Sequence, residues 1–239
     1  MIIQEYFGDW TKVIDLSKVN TITNRLKPYN KVLCPKLHDV FKAFRLCKLQ
    51  DVRVVIIGQD PYPNYVKGIP VATGLAFANS SNTLEKDYSP SLKVLRDSFM
   101  DIDESEERII FDPSLESWEK QGVLLLNTAL SCLQDQVGSH TLLWRPFITS
   151  FLDNLNKYLT GVVYVLMGSD ALSLELYIKK DFNYIVRTKH PAYYARKHIA
   201  MPNIWNCINQ ILIGQNGYGI KWYNTLNFKE NEEVFYFQN

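Results

Sequence analysis

Residues 52–63 read VRVVIIGQDPYP. The first half, VRVVII, is a short β-branched run with almost no polar alternation, the pattern of a strand buried on both faces of a parallel sheet. It runs with no spacer into a glycine, an amide, a carboxylate and two prolines around a tyrosine. A plain turn could use that composition, and so could a reaction centre. The rest of the chain has to decide.

Three more runs of the same kind follow: GVLLLN (122–127), VVYVLM (162–167) and NYIVR (183–187). The segments between and after them are long enough for helices. SPSLKVLRDSFM (89–100) opens on Ser-Pro and places Leu92, Leu95 and Phe99 at helical spacing. RPFITSFLDNLNKYL (145–159) puts Phe147, Phe151, Leu155 and Leu159 at every fourth position, and SDALSLELYIKK (169–180) and PNIWNCINQILI (202–213) are further amphipathic candidates. Alternation of this kind predicts an α/β fold: a single three-layer α/β/α domain around a central, mainly four-stranded parallel sheet with right-handed crossovers. No internal repeat or Gly/Ser linker divides the chain. Residues 1–229 are therefore read as one domain, with a mainly helical part over about 1–49, and 230–239 as a tail with no assigned role.

Each run ends in an unusual polar tail: Gly58-Gln59-Asp60-Pro61-Tyr62, Asn127, Gly168-Ser169, and Lys189-His190-Pro191. Ligands of open α/β sheets bind outside the carboxyl ends of the strands. That edge would bring Asp60, Asn127, Ser169 and His190 into one cleft. Singly, each has an ordinary reading as a helix cap or a packed loop residue. Together they point to an active site.

Composition narrows the chemistry. The chain has 239 residues, 46% of them hydrophobic, and a formal net charge of +1, so overall charge does not mark a nucleic-acid binder. Its distribution is less even. No acid falls between Asp181 and Glu230, whereas Arg187, Lys189, Arg196, Lys197, Lys221 and Lys229 do; the acids gather elsewhere, as in DIDESEER (101–108), read as a solvated loop or helix end. The basic stretch suits a face that accepts phosphates. Cys34, Cys47, Cys132 and Cys207 form no C-x-x-C pair, and none of the four histidines sits in H-E-x-x-H, so no metal site and no cofactor are expected. There is neither a G-x-S-x-G elbow nor a G-x-x-x-x-G-K-[ST] loop. No run reaches the roughly 18 apolar residues of a membrane span. The start, MIIQEYFGDW, lacks a secretion-signal pattern, so an intracellular monomer is expected.

GQDPYP resembles the water-activating motif of the family 1 uracil-DNA glycosylases, usually GQDPYH. Further motifs of that family follow in order: GLAF ending at Phe77, SPSLKVL (89–95) like the proline-rich loop, GVLLLN with Asn127, MGSDA (167–171) like the Gly-Ser loop, and KHPAYYAR (189–196), similar to the intercalation loop. The resemblance runs from about Pro35 to Trp222. It implies a metal-independent enzyme that flips uracil out of single- or double-stranded DNA and hydrolyses its N-glycosidic bond, initiating base excision repair.

By that resemblance, Asp60 stabilises the sugar cation and positions water, and neutral His190 donates to the uracil anion. Asn127 reads O4 and N3–H, Phe77 stacks on the base, Tyr62 stands against C5, and the Gln59 backbone holds the O2 edge. Ser91, Gly168, Ser169, Pro191, Tyr193, Arg196 and Lys197 are expected to contact DNA, with Tyr194 as the wedge. The family's DNA-mimicking inhibitor protein is a further expected partner. The match departs at Pro63, in place of histidine, and at Ala192 and Ala195, in place of phosphate-binding serines; Tyr194 stands where leucine is usual. Weaker and more salt-sensitive duplex binding is therefore expected. The residues admit two other readings: a DNA-binding replication or repair adaptor on the same fold, and a glycosylase for other damaged bases. The intact Asp60, Asn127 and His190 disfavour the first, and Tyr62 with Asn127 disfavours the second.

Overall fold

The computed structural model describes residues 3–99 and 107–227. A four-stranded sheet lies at its centre, formed by β1 (Val54–Gly58), β2 (Val123–Asn127), β3 (Val163–Met167) and β4 (Tyr184–Thr188). The spatial order is β2-β1-β3-β4, and every neighbouring pair is parallel. All residues of β1, β2 and β3 are buried, as their uninterrupted apolar runs require. The expectation of two buried faces fails for β4. It lies at the edge, with Tyr184 and Arg187 exposed and Ile185 and Val186 only half-buried.

The order 2-1-3-4 means that the chain leaves β1 in one direction and then returns past it to reach β3. Right-handed crossovers therefore put the β1–β2 connection and the β2–β3 connection on opposite faces. The first carries the helix Pro90–Asp97, the second the helix Thr141–Tyr158. Each face has its own aromatic cluster. Trp144, Phe147 and Phe151 meet Phe41, Phe44 and Trp10 on one, while Phe99, Phe111, Trp118, Trp205 and Trp222 meet on the other. The three-layer α/β/α arrangement follows from this, and the part before β1 is mainly helical as anticipated.

Some local expectations change. The long helix starts at Thr141 and runs through Pro146. SDALSLELYIKK is not one helix but Ser169–Leu172 followed by a single tight turn, Glu175–Tyr177; the Ser173 hydroxyl donates to Asp170 O at 2.6 Å where the helix stops. Of DIDESEER, residues 107 and 108 start a strand, Glu107–Ile110, which pairs with Asn224–Asn227; residues 101–106 and the 230–239 tail lie outside the described residues. Among the described residues, no helix is long and apolar enough to cross a membrane.

Candidate active site

At the carboxyl edge, Gly58 of β1 is the register partner of Asn127 of β2. The switch point of this strand order lies between β1 and β3, so the loops after these two strands flank the crevice. A cleft of about 210 Å³ opens there, with Asp60, Tyr62, Phe77, Ser91, His190 and Arg196 on its walls. A larger cleft of about 650 Å³ lies at the amino ends of the same strands, around Arg53, Gln121 and Tyr218. Size favours the latter, but the carboxylate, phenol and imidazole lining the former favour it.

Gly58 is what lets the Asn127 amide and the Phe77 ring converge. A Cβ there would sit 2.5 Å from Asn127 Oδ1 and 2.7 Å from Phe77 Cζ, well inside contact distance. Asn127 is buried, and among the described residues its side-chain amide makes no hydrogen bond, so its donor and acceptor remain for a ligand. Phe77 is also buried and holds a left-handed backbone, φ 66°, a conformation costing a non-glycine residue roughly 1–2 kcal/mol. Its carbonyl accepts the Tyr62 hydroxyl at 2.9 Å, which ties the two aromatic walls together.

The loop after β1 is held carbonyl by carbonyl from the segment after β2. Thr128 N donates to Gly58 O; Ala129 N and the Thr128 hydroxyl donate to Gln59 O; Asp135 N donates to Pro63 O. The O2 of a pyrimidine is an acceptor, so at Gln59 the group that can serve it is the backbone N–H and not the carbonyl. Gly138 N donates to Asp60 Oδ2 at 2.5 Å, fixing one carboxylate oxygen and leaving the other for water. Burial pushes the Asp60 carboxyl above its ordinary range, the Gly138 bond opposes this, and nearby Asp170 adds to the rise.

His190 caps the helix Pro191–Lys197, its Nδ1 accepting Ala192 N at 3.1 Å. A neutral ring accepting at Nδ1 carries its proton on Nε2, and among the described residues Nε2 has no partner. Burial, then the charge of Arg196, holds the imidazole below its usual range and keeps it neutral. Its ring lies 5.5 Å from that of Phe77. Gly168 allows the closeness of β3 and this loop: a Cβ there, at φ 92°, would be 2.9 Å from His190 Cβ.

The expected DNA-contact residues divide. Ser169, Arg196 and Lys197 are exposed, and Tyr193 is half-buried with Lys189 Nζ 6.0 Å above its ring. Ser91 is buried on the cleft wall, in the first turn of the helix Pro90–Asp97. Gly168 and Pro191 are buried beneath this rim. Tyr194 is corrected: only 8% exposed, it packs in the core with its hydroxyl 3.1 Å from Thr188 Oγ1, so it is not presented as a wedge. Arg187 is paired through two bonds with Glu175 and leaves the basic face. Sequence reasoning missed Gly138, Thr128 and Ala129, which act through backbone or hydroxyl groups and carry no spacing signal.

Comparison with known proteins bears on the family and the fold. Residues 44–211 match the family described as the uracil DNA glycosylase superfamily. A uracil-DNA glycosylase of Salmonella arizonae is 36% identical over 181 residues, covering 72% of this chain and 75% of its own. That of Aliarcobacter butzleri is 32% identical over 212 residues, covering 81% and 93%. Among solved structures, mimivirus uracil-DNA glycosylase superposes with a TM-score of 0.69 at 18% identity over 91% of this chain and 90% of its own. A mimivirus UNG variant in complex with UGI gives 0.72 at 21% over 86% and 81%; at such identities the likeness concerns the fold. The chain belongs to the uracil DNA glycosylase superfamily.

Proposed function

We propose that this chain is a uracil-DNA glycosylase, a hydrolase that excises uracil and leaves an abasic site. The observation that carries the reading is the Asn127 amide, without a hydrogen-bond partner among the described residues, set beside the Phe77 ring at Gly58, with Asp60 and His190 on the walls of the cleft that Phe77 lines. The amide offers one acceptor to uracil N3–H and one donor to O4. Cytosine presents the opposite order and would leave buried groups unpaired, a mismatch worth roughly 10⁴-fold or more.

As the glycosidic bond lengthens, positive charge grows on the sugar and negative charge on the base. The free oxygen of Asp60 meets the first and orients water; His190 Nε2–H meets the second at O2. A stabilised anion needs no proton from a second carboxyl, so one carboxylate suffices where glycosidases on sugars use two. Tyr62, tied to the Phe77 carbonyl and flanked by Pro61 and Pro63, is a rigid wall against a C5 methyl group. A rigid wall excludes by overlap, which costs more than a soft pocket can.

Ser169, Tyr193, Arg196 and Lys197 serve the DNA strand at the rim, and residues 1–229 act as one unit. With Tyr194 withdrawn into the core, no apolar wedge projects from that position, which favours single strands and weakly paired uracil. An inhibitor such as the UGI bound to the mimivirus protein is expected to compete for the same cleft. The test uses matched oligonucleotides carrying U, T or C at one position. Base release from U alone supports the reading. DNA binding with no release would instead favour the adaptor on the same fold.

A further inference from the structure

Cys34 and Cys132 stand directly opposite each other where Leu33–Cys34 pairs antiparallel with Cys132–Leu133. Both are fully buried and pack with Ala72, with Tyr62 and Tyr65 against them. Each thiol also reaches the catalytic loop. Cys132 Sγ donates to Pro61 O at 3.3 Å and Cys34 Sγ to Pro63 O at 3.4 Å, so the two bonds bracket Tyr62 and follow Asp60. Asp135 N also serves Pro63 O, whereas among the described residues only Cys132 serves Pro61 O. Directly opposite residues of an antiparallel pair have Cα atoms about 4.5–5.5 Å apart. Disulfides span about 4.4–6.8 Å, so no large backbone movement is needed.

We infer that Cys34 and Cys132 form a peroxide-responsive dithiol, whose closure to a disulfide slows uracil excision by withdrawing both thiol donors from the Pro61 and Pro63 carbonyls. This rests on the excision reading for its effect on rate, though not for the chemistry of the pair. The Cys34 sulfur attacks one oxygen of hydrogen peroxide; the O–O bond breaks, and the departing hydroxide takes the thiol proton as water. The resulting sulfenic acid is attacked by the Cys132 sulfur. The S–S bond forms, the S–O bond breaks, and the second hydroxide leaves with the Cys132 proton as water. Two thiols and one peroxide thus give one disulfide and two waters, the sulfurs losing the two electrons that the peroxide gains.

The order of attack follows from the surroundings. Once Cys34 ionises, the Cys132 S–H can donate to its sulfur in place of Pro61 O, which holds the Cys34 thiol below its usual range against burial and with Lys36 assisting, whereas Cys132 is pushed up. Access comes through the hairpin Tyr65–Val66/Ile69–Pro70, whose Val66 and Ile69 are exposed while Tyr65 covers the pair. A small local opening there admits a small oxidant.

The test treats the full chain, carrying Cys207→Ser to remove the exposed thiol, with hydrogen peroxide. Free thiols are then alkylated, peptides mapped and single-turnover uracil release timed. The expected result is a Cys34–Cys132 crosslink with release slowed about 10- to 10²-fold, the scale of a ~1 Å misplacement. Dithiothreitol restores the rate, and in Cys34→Ala peroxide leaves the rate at that variant's own starting value. Recovery of both cysteines as alkylated thiols overturns the inference, as does a crosslinked protein of unchanged rate. A reduced protein that releases no uracil counts against the excision reading, while peptide mapping still decides whether the pair closes.

Discussion

Gly58→Ala adds one methyl group at the point where the Asn127 amide and the Phe77 ring meet. Gly58 does not occupy the left-handed region, so alanine can adopt its backbone and the effect is local. The new Cβ would stand 2.5 Å from Asn127 Oδ1 and 2.7 Å from Phe77 Cζ, and ordinary contact begins at 3.4 Å. Asn127 must therefore retreat by 0.9 Å and Phe77 by 0.7 Å, or β1 must shift by a similar amount. A displacement of ~1 Å in a positioned group costs about 10²-fold in rate, equivalent to ~2.7 kcal/mol of transition-state stabilisation. Overpacking costs stability too, about 1–3 kcal/mol. The assay is kcat/KM for uracil release from a single-stranded oligonucleotide, with a urea melt on the same preparation. A folded variant with about 10²-fold lower kcat/KM is expected. A stable variant with an unchanged rate would refute the convergence of Asn127 and Phe77 on the base.

Other consequences can be checked in parallel. On the proposed mechanism catalysis needs Asp60 ionised, with its carboxyl raised above 3.8, and His190 neutral, with its imidazole lowered below 6.5. The rate should therefore rise with pH inside that interval and be flat through neutrality; a rate that instead falls as pH rises through 6.5 would show that protonated His190 is the working form. Glu119 is buried, its Oε1 accepting Leu125 N at 2.9 Å and its Oε2 unpartnered, and burial raises its carboxyl well above 4.5. With the folded value raised, its contribution to stability is full below 4.5 and is lost as pH rises from 4.5 through the higher folded value. Urea melts at pH 5 and pH 8 should thus show a smaller decline for Glu119→Gln than for the parent, and equal declines would contradict the protonated carboxyl. Tyr62→Ala should begin to release thymine, whereas Tyr62→Phe keeps the ring and loses the hydroxyl's bond to Phe77 O, worth about 0.5–1.5 kcal/mol. Thymine release by neither variant would remove Tyr62 as the methyl filter.

The central sheet was legible because β1, β2 and β3 are buried on both faces and so cannot alternate. The candidate site was legible because each of those strands ends in residues that a core has no use for. What stayed hidden depends on partners remote in sequence. Tyr193 and Tyr194 differ by about 100° around one helix; Pro191 at its start and the Thr188 hydroxyl decide which faces inward, and neither is visible as periodicity. Gly138 reaches Asp60 from 78 positions away through a backbone N–H that any residue type could supply. The facing of Cys34 and Cys132 rests on a pairing of two residues with two, too short to leave a strand pattern. β4 looked fully buried because its apolar content resembles that of the inner strands, although edge position alone sets its exposure.

The most direct measurement is a crystal structure of Asp60→Asn with a short single-stranded oligonucleotide containing one uracil. The result expected is the flipped base stacked on Phe77, its N3–H and O4 paired with the Asn127 amide, O2 on His190 Nε2, and C5 against Tyr62. Uracil bound elsewhere, or seated in this cleft with Asn127 and His190 both unengaged, would contradict the assignment of these residues to the reaction.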